Sequence, residues 1–151
     1  MLLTFLDYQR ETMIWKAEGL TDEQARHAPG PPENSIAGLI QHLAHVERWW
    51  FRMCFAGEDL ETPWAEGDRD ADFRVPPGTP VSEVIEFYRS ECRRANEIVG
   101  AAPSLDDLSK VASHGEHPSL RWILLHMIEE TARHAGHADI TRELVDGVTG
   151  Y

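Results

Sequence analysis

The sequence predicts an all-α protein, namely a bundle of four main helices. Four segments repeat apolar residues at helical spacing, a glycine follows each segment, and no segment shows the alternating pattern of a half-buried strand. Residues 1–151 are enough to bury a sizeable core and are predicted to form a single domain. A hydrophobic fraction of 42% is typical of a globular chain rather than a disordered one.

The first half of the chain contains two of these helices. The first covers about residues 2–18, and the second covers about residues 35–56, beginning at Ser35, which is a good N-cap. Between them, residues 21–24 (Thr-Asp-Glu-Gln) have the capping-box pattern of a short helical turn. A proline-rich stretch at 29–32 then separates this turn from the second helix.

Two longer loops separate the remaining helices. The third helix is predicted at residues 79–100 and the fourth at residues 118–146, with a loop of residues 101–117 between them. The loop of residues 58–78 is long for a compact domain, so we expect a crossover connection or a lid over a site. Its acidic tract, residues 58–72, is predicted to be solvated.

A net charge of −12 makes nucleic acids and anionic membranes poor partners for this chain. No apolar run approaches the roughly 18 residues that a membrane-spanning helix needs. Residues 1–7 lack the basic start of a signal peptide, and a cytoplasmic location is therefore expected. Cys54 and Cys92 have no metal-binding or redox spacing. They are interpreted as small buried residues, with a disulfide or a catalytic thiol as the alternatives.

Residues 129–139 of the fourth helix carry the strongest functional pattern. Glu130 and His134 are four residues apart, so a helix places both side chains on one face, a single turn apart. At about 100° per residue, the rest of that face is apolar. Its residues are Leu120, Ile123, Met127, Ala138 and Leu144. A carboxylate and an imidazole are costly to bury without partners, and a bound metal ion is one arrangement that satisfies both.

The second helix offers a third ligand. His42 lies among apolar residues and is predicted to point inward, whereas His45 is displaced by about 60° and lies at best on the rim. Facing helices of a bundle commonly build metal sites from inward histidines and carboxylates. His42, Glu130 and His134 would form a zinc site with one position open to water or substrate, although the same ligands also hold nickel or ferrous iron.

Structural roles for these residues are the alternatives. A single inward histidine is often a hydrogen-bonded core residue, and a glutamate four residues before a histidine is often a surface pair. His126 and His137 lie about 20–40° from Glu130 on the helical wheel. Each is a candidate substitute ligand, a residue that hydrogen-bonds a ligand, or a residue that lines the site.

Five blocks of sequence, spread over nearly the whole chain, carry a resemblance to a known family. They are residues 4–10, 19–24, 38–43, 46–51 and 120–137. In these blocks the chain resembles the DinB/YfiT-like superfamily of four-helix metalloproteins. Within it, the chain most resembles the actinobacterial DUF664 or mini-circle-type branch, which is related to the mycothiol-dependent maleylpyruvate isomerase.

The resemblance implies an up-down-down-up bundle with a long crossover between the second and third helices and a divalent metal near one end. Most similar proteins use three histidines, whereas this chain has Glu130 in place of the first histidine of the fourth-helix pair. The isomerase is similar in using a histidine, a glutamate and a histidine for zinc, so the implied ligands are His42, Glu130 and His134. His137 falls where many relatives carry glutamine. Because the chain ends soon after the fourth helix, the maleylpyruvate reaction is not expected.

By this resemblance, the expected function is a metal-dependent thiol S-transferase that activates mycothiol or a similar thiol for attack on a small electrophile. Trp49 and Arg133 are candidates for binding the thiol, and His137 and His126 are candidates for proton transfer. A metal-dependent hydrolase and a non-catalytic metal-binding or stress-associated bundle are the alternatives. Superfamily members are often dimers, so a homodimer is also expected.

Overall fold

In the computed structural model, which describes residues 1–64 and 67–150, every regular element is a helix or a helical turn. The α-helices in chain order are α1 (Leu2–Trp15), α2 (Asp22–Arg26), α3 (Ile36–Glu47), α4 (Val81–Ala101) and α5 (Leu120–Asp146). A π-helix, Arg48–Phe55, continues α3, and short 3-10 turns occupy Pro32–Asn34 and Ala71–Phe73. The predicted all-α class is confirmed. Within the described ranges, no helix is both long and apolar enough to cross a membrane.

The ends of several helices are set by residues at their caps. Thr21 and Gln24 form the predicted capping box, since each side chain accepts a hydrogen bond from the other's backbone N–H group, at 3.1 and 3.0 Å. The Ser35 hydroxyl accepts from the N–H group of Gly38 and begins α3. Gly147 adopts a left-handed φ of +78° and ends α5.

The first two predicted helices are shorter as α-helices than the sequence indicates. α1 ends at Trp15. The helix predicted at residues 35–56 is α-helical only to Glu47 and then widens into the π-helix. At the end of this segment the N–H group of Ala56 reaches the carbonyl of Phe51, five residues back. π-helical turns are rare and frequently occur at functional sites.

Two clusters of buried side chains hold the helices together. α3 packs most extensively on α4, and α1 packs most extensively on α5. One cluster includes Met13, Ile36, Leu39, Ile40, Leu43, Tyr88 and Ala138, and the other includes Leu6, Phe51, Cys54, Leu120, Ile123 and Met127. Each large apolar side chain that is fully buried in this way contributes about 1.5–3 kcal/mol.

The buried stripe of α5 differs from the predicted one at one position. Leu144 is predicted to share the core face, yet it is 65% exposed. The stripe is centred on Leu120, Thr131 and Ala138, and Leu144 lies about 120° from this centre on a helical wheel. Glu130 also lies at an edge of the stripe, so it faces the boundary between core and solvent.

A segment of the long loop, the turn Ala71–Phe73, packs against the helix α3 that carries His42. Gly38 is required there, because a Cβ atom at this position would lie 2.7 Å from the Phe73 carbonyl oxygen. The Gln41 amide donates to the carbonyl groups of Asp72 and Arg74, at 2.9 and 3.0 Å. Asp72 is completely buried, so the prediction that the acidic tract is solvated is wrong at this residue.

Candidate metal centre

The three side chains that the sequence groups as ligands meet between α3, which carries His42, and α5, which carries Glu130 and His134. Oε1 of Glu130 is 3.3 Å from Nε2 of His42 and 3.2 Å from Nε2 of His134. The three ligand atoms all lie within 4.8 Å of one another. Each side chain is 12–15% exposed, so the cluster is shielded yet reachable from solvent. His45 packs against Phe87 instead, with ring centroids 5.0 Å apart.

Two of these separations match those between neighbouring ligands of a tetrahedral metal ion. Zinc binds imidazole nitrogen and carboxylate oxygen at about 2.0–2.2 Å, which places neighbouring tetrahedral ligands roughly 3.3 Å apart. The two distances from the Glu130 oxygen are 3.2 and 3.3 Å, so one ion can bond this oxygen together with either imidazole. Two histidines and one carboxylate also leave a fourth position for a water molecule or a substrate.

Sequence reasoning missed Asp72, whose carboxylate contacts the ring of His42. Oδ2 of Asp72 is 2.6 Å from Nδ1 of His42, so the Nδ1–H group donates to it and Nε2 is left to face Glu130. The ring of Phe73 stacks on that of His42, with centroids 4.0 Å apart. Phe73 and Val75 are apolar residues in a charged loop, and this pattern is the one sequence signal that the loop packs onto a helix.

Glu130 and His42 have pKa values that their neighbours in the cluster shift. Hydrogen bonds from His134 and His42 hold the pKa of Glu130 well below its usual range, even though partial burial raises it. Burial lowers the pKa of His42, but its hydrogen bonds and charge interactions with Asp72 and Glu130 outweigh this effect and raise the pKa overall. Two carboxylates around one imidazole thus create an environment that favours positive charge, which a bound cation would supply.

Several buried polar atoms beside the three ligands have no hydrogen-bond partner among the described residues. They include Oδ1 of Asp72 and the Nδ1 atoms of His134 and His137. Such atoms are rare inside proteins, because leaving one unpaired costs about 1–3 kcal/mol. Their concentration around the cluster is typical of a binding site rather than of an optimised structural core.

The two histidines predicted to transfer protons occupy different surroundings. The ring of His137 lies 5.4 Å from that of His134, so it borders the ligand cluster. His126 instead lies between Trp50 and Trp122, with its ring centroid 5.0 Å from each. Of the two, His137 is the one whose ring contacts a candidate ligand.

The residues predicted to bind the thiol also differ in their contacts. Arg133 is 55% exposed and reaches Oε2 of Glu130 at 3.4 Å while pairing with Glu129 at 2.7 Å. The ring of Trp49 lies 6.3 Å from that of Trp64, and both line one cavity. Arg133 is therefore placed beside the ligand cluster, whereas Trp49 faces a separate recess.

The fold has a counterpart among solved structures. A protein from Enterococcus faecalis, described as the conserved protein of a locus, is similar with a TM-score of 0.70 over 97% of this chain and 96% of that one. At 17% sequence identity, this likeness shows the fold alone. In the comparison with curated proteins, no match is found.

The family is shown by a comparison with family models. A model described as Mycothiol-S-transferase matches residues 1–147, which is nearly the whole chain. This match confirms the resemblance to the DinB-like superfamily. The chain belongs to the mycothiol S-transferase family.

Proposed function

We propose that this protein is a metal-dependent thiol S-transferase in which a divalent metal, most readily zinc, is held by His42, Glu130 and His134. The observation that carries the proposal is the geometry of the three ligand atoms, with separations of 3.2 and 3.3 Å around one carboxylate oxygen. The family match supports mycothiol, or a similar low-molecular-weight thiol, as the co-substrate. The second substrate is a small electrophile.

Each side chain around the ion has a separate task. His42 and His134 offer their Nε2 atoms, and Asp72 keeps His42 in the required tautomer by accepting from its Nδ1–H group. Glu130 contributes a negative charge that partly offsets the charge of the ion. A divalent metal at this position would bind the thiol and lower its pKa, so that the thiol reacts as a thiolate at neutral pH.

The transfer step forms one bond, breaks another and moves one proton. The thiol sulfur forms a bond to the electrophilic carbon, the leaving group departs with its bonding electron pair, and the thiol proton passes to a base. His137 is the first candidate base, because its ring borders that of His134. His126, one turn before Glu130 on α5, is the second. Arg133 is exposed beside Glu130 and is placed to contact the polar body of the thiol.

Hydrolysis is the competing reaction for the same ligands, since metal-dependent hydrolases use similar sets of histidine and carboxylate. A hydrolase would need no added thiol. A non-catalytic metal-binding protein would turn over neither class of substrate. The family match favours thiol transfer over both.

Metal analysis and a thiol-transfer assay test the proposal together. Protein purified without an affinity tag is analysed by elemental mass spectrometry and assayed with an activated aryl halide, with and without mycothiol. We expect about one zinc ion per chain and thiol-dependent turnover, and the loss of both on Glu130→Gln, which replaces a charged ligand by a neutral amide. Glu129→Gln changes the neighbouring exposed carboxylate and is the matched control, which should keep both.

Three results would contradict the proposal. A folded protein that takes up no zinc, even after incubation with it, would show that the cluster is a structural network. Turnover that is unchanged when mycothiol is omitted would indicate hydrolysis. Zinc binding without turnover in either assay would indicate a binding protein.

No cysteine of the chain is needed as a nucleophile in this reaction. Burial raises the pKa of the Cys54 and Cys92 thiols, so both stay protonated at neutral pH. We therefore expect Cys54→Ser and Cys92→Ser to retain the wild-type kcat in the thiol-transfer assay. If a single variant that is folded by circular dichroism lost turnover, a protein thiol would be part of the mechanism after all.

Several finer features belong to the same proposal. The four long helices are expected in up-down-down-up order, with the chain crossing over between α3 and α4. Membership of the DUF664-type branch, the relation to the maleylpyruvate isomerase, a homodimer and a cytoplasmic location all follow from the resemblance and stay predictions. Size-exclusion chromatography with light scattering would measure the oligomeric state.

A further inference from the structure

A cavity of about 400 Å³ opens along the helix that carries His42. Its lining residues are Val46, Trp49, Trp50, Trp64, Arg69 and His114. Trp50 and His114 also line a neighbouring cavity of about 590 Å³. Cavities of this size hold small organic molecules.

The position of the cavity relates it to the candidate metal centre. Val46 follows His42 by one helical turn, and Trp49 lies in the π-helix that continues α3. At 1.5 Å per residue, Val46 is about 6 Å and Trp49 roughly 10 Å further along the helix axis. The ring of His45 contacts that of Trp64, with centroids 6.2 Å apart, so the loop that walls the cavity also covers the helix beside His42. The cavity thus begins about one helical turn from the candidate metal centre.

The walls of the cavity are flat and aromatic. The rings of Trp49 and Trp64 stand nearly perpendicular, at 86°, with centroids 6.3 Å apart. The ring of Trp50 is supported by His126 at 5.0 Å. Indole rings in such arrangements bind planar aromatic molecules through stacked and edge-to-face contacts.

The charged side chain at the cavity is basic. Arg69 lines it together with the exposed imidazole of His114, and no acidic side chain lines it in the part of the chain that the structure describes. This composition contrasts with a chain whose net charge is −12. A guanidinium group binds carboxylates and similar anions through paired hydrogen bonds. The lining therefore suits a molecule that combines an aromatic body with an anionic group.

We infer that this cavity binds the electrophilic co-substrate and that this co-substrate is a planar aromatic compound carrying a carboxylate or a similar anion. The inference rests on the proposed thiol transfer, which requires a place for a second substrate beside the thiol. Trp50 and Trp64 contact the ring system, and Arg69 pairs with the anion. Trp49, which the sequence suggests for the thiol, is then assigned to the electrophile instead.

The binding of two matched probes tests this inference without any turnover. 2-Naphthoate carries the anion and 2-naphthylmethanol is its neutral counterpart, and each is titrated into the purified full chain by isothermal calorimetry. We expect naphthoate to bind about tenfold more tightly than the neutral probe, because its carboxylate can form a charge-assisted hydrogen bond with Arg69. Arg69→Gln should remove this preference and leave the affinity for the neutral probe unchanged. Arg93→Gln, which changes an exposed arginine on α4, is the control and should keep the preference.

A further variant tests the aromatic wall. Trp64→Ala should weaken the binding of both probes by a similar factor, because it removes a ring face that contacts the shared naphthalene body. The fold of each variant is checked by circular dichroism. Arg69 is exposed, so its replacement leaves the core intact.

Equal affinities for the two probes in the wild type, or a preference that survives Arg69→Gln, would overturn the inference. Displacement of naphthoate by mycothiol would also overturn it, because the cavity would then belong to the thiol. Failure of the proposed function would look different. Naphthoate would still bind with its preference, while thiol transfer to aryl halides would be absent.

Discussion

At the scale of single residues, Asp72 is the side chain on which the orientation of His42 depends. Its Oδ2 atom lies 2.6 Å from Nδ1 of His42, and the carboxylate is completely buried. We expect Asp72→Asn to weaken zinc binding by about 10- to 100-fold, because an amide oxygen is a weaker acceptor and supports a less basic imidazole. Competition with a zinc-chelating dye would measure the dissociation constant.

Asp70→Asn is the matched control for this change, since Asp70 is exposed on the same loop. Its zinc affinity and the NMR signals of the His42 ring should equal those of the wild type. If Asp72→Asn also bound zinc with wild-type affinity, the stacking of Phe73 and the helix itself would be sufficient to orient the ring.

Helical spacing explains why part of the site is predictable from sequence. It groups Glu130 with His134, and the apolar neighbours of His42 place that residue on an inward face. The structure brings these three side chains together. Such reasoning does not find Asp72, because Asp72 and His42 are 30 residues apart in the sequence and the loop between them has no regular spacing of apolar residues. Its contact depends on tertiary packing rather than on local spacing.

At the scale of elements, the close approach of the Ala71–Phe73 turn to α3 depends on Gly38. A Cβ atom there would lie 2.7 Å from the Phe73 carbonyl oxygen and 2.7 Å from the Ser35 hydroxyl oxygen. We expect Gly38→Ala to lower the free energy of unfolding by about 1–3 kcal/mol, because backbone must move to make room. Zinc affinity should fall as well, since Asp72 belongs to the displaced turn. Urea unfolding and zinc titration would measure the two effects.

Gly136→Ala provides the contrasting control. Gly136 lies within α5, two residues beyond His134, and a Cβ atom there would meet nothing within 4 Å. Alanine at this position should raise the free energy of unfolding by about 0.5–1 kcal/mol and leave zinc binding unchanged. If Gly38→Ala behaved in the same way, the turn would not need its close contact with α3.

The long helices are predictable because each combines an apolar period with a cap or a closing glycine. The π-helix is not, since its residues also fit an ordinary helix and the wider turn depends on packing. Arg48 and Arg52 both pair with the buried Glu91 of α4, at 2.8 and 3.1 Å. Contacts of this kind, between residues about forty positions apart, leave no mark on a local pattern.

At the scale of the whole molecule, the candidate metal centre joins α3 to α5, so metal binding should stabilise the entire fold. Free zinc at about a thousand times its dissociation constant would add roughly 4 kcal/mol to the free energy of unfolding. For a chain of this length, that gain corresponds to a rise in Tm of roughly 8–16 °C. Differential scanning calorimetry of chelated protein, before and after the addition of zinc, would measure it.

His134→Ala should show no such rise, because it removes one of the three ligands. His27→Ala changes an exposed histidine just after α2 and should keep the full rise. An equal rise in His134→Ala and in the wild type would mean that zinc binds elsewhere on the molecule.

How deeply the candidate metal centre is buried is another property of the whole molecule, and helical wheels do not predict it. The wheels place Glu130 within a core face, whereas its side chain is 15% exposed at the boundary of the core. How far the candidate metal centre is covered from solvent depends on how the helices and the long loop pack together. A site at this boundary can admit a substrate, which a site in the middle of the core could not.

The π-helix allows side chains of the aromatic cavity to be reoriented without any change to the candidate metal ligands. A π-helical turn holds one residue more than an ordinary turn, so a single deletion within Arg48–Phe55 restores α-helical winding. Restored winding changes the orientation of the side chains within the segment, including Trp49 and Trp50, while His42, which precedes the segment, keeps its orientation. Under the proposed function, one helix would carry both a metal ligand and part of the substrate cavity, and the gain or loss of one residue in the π-helix would change the cavity alone.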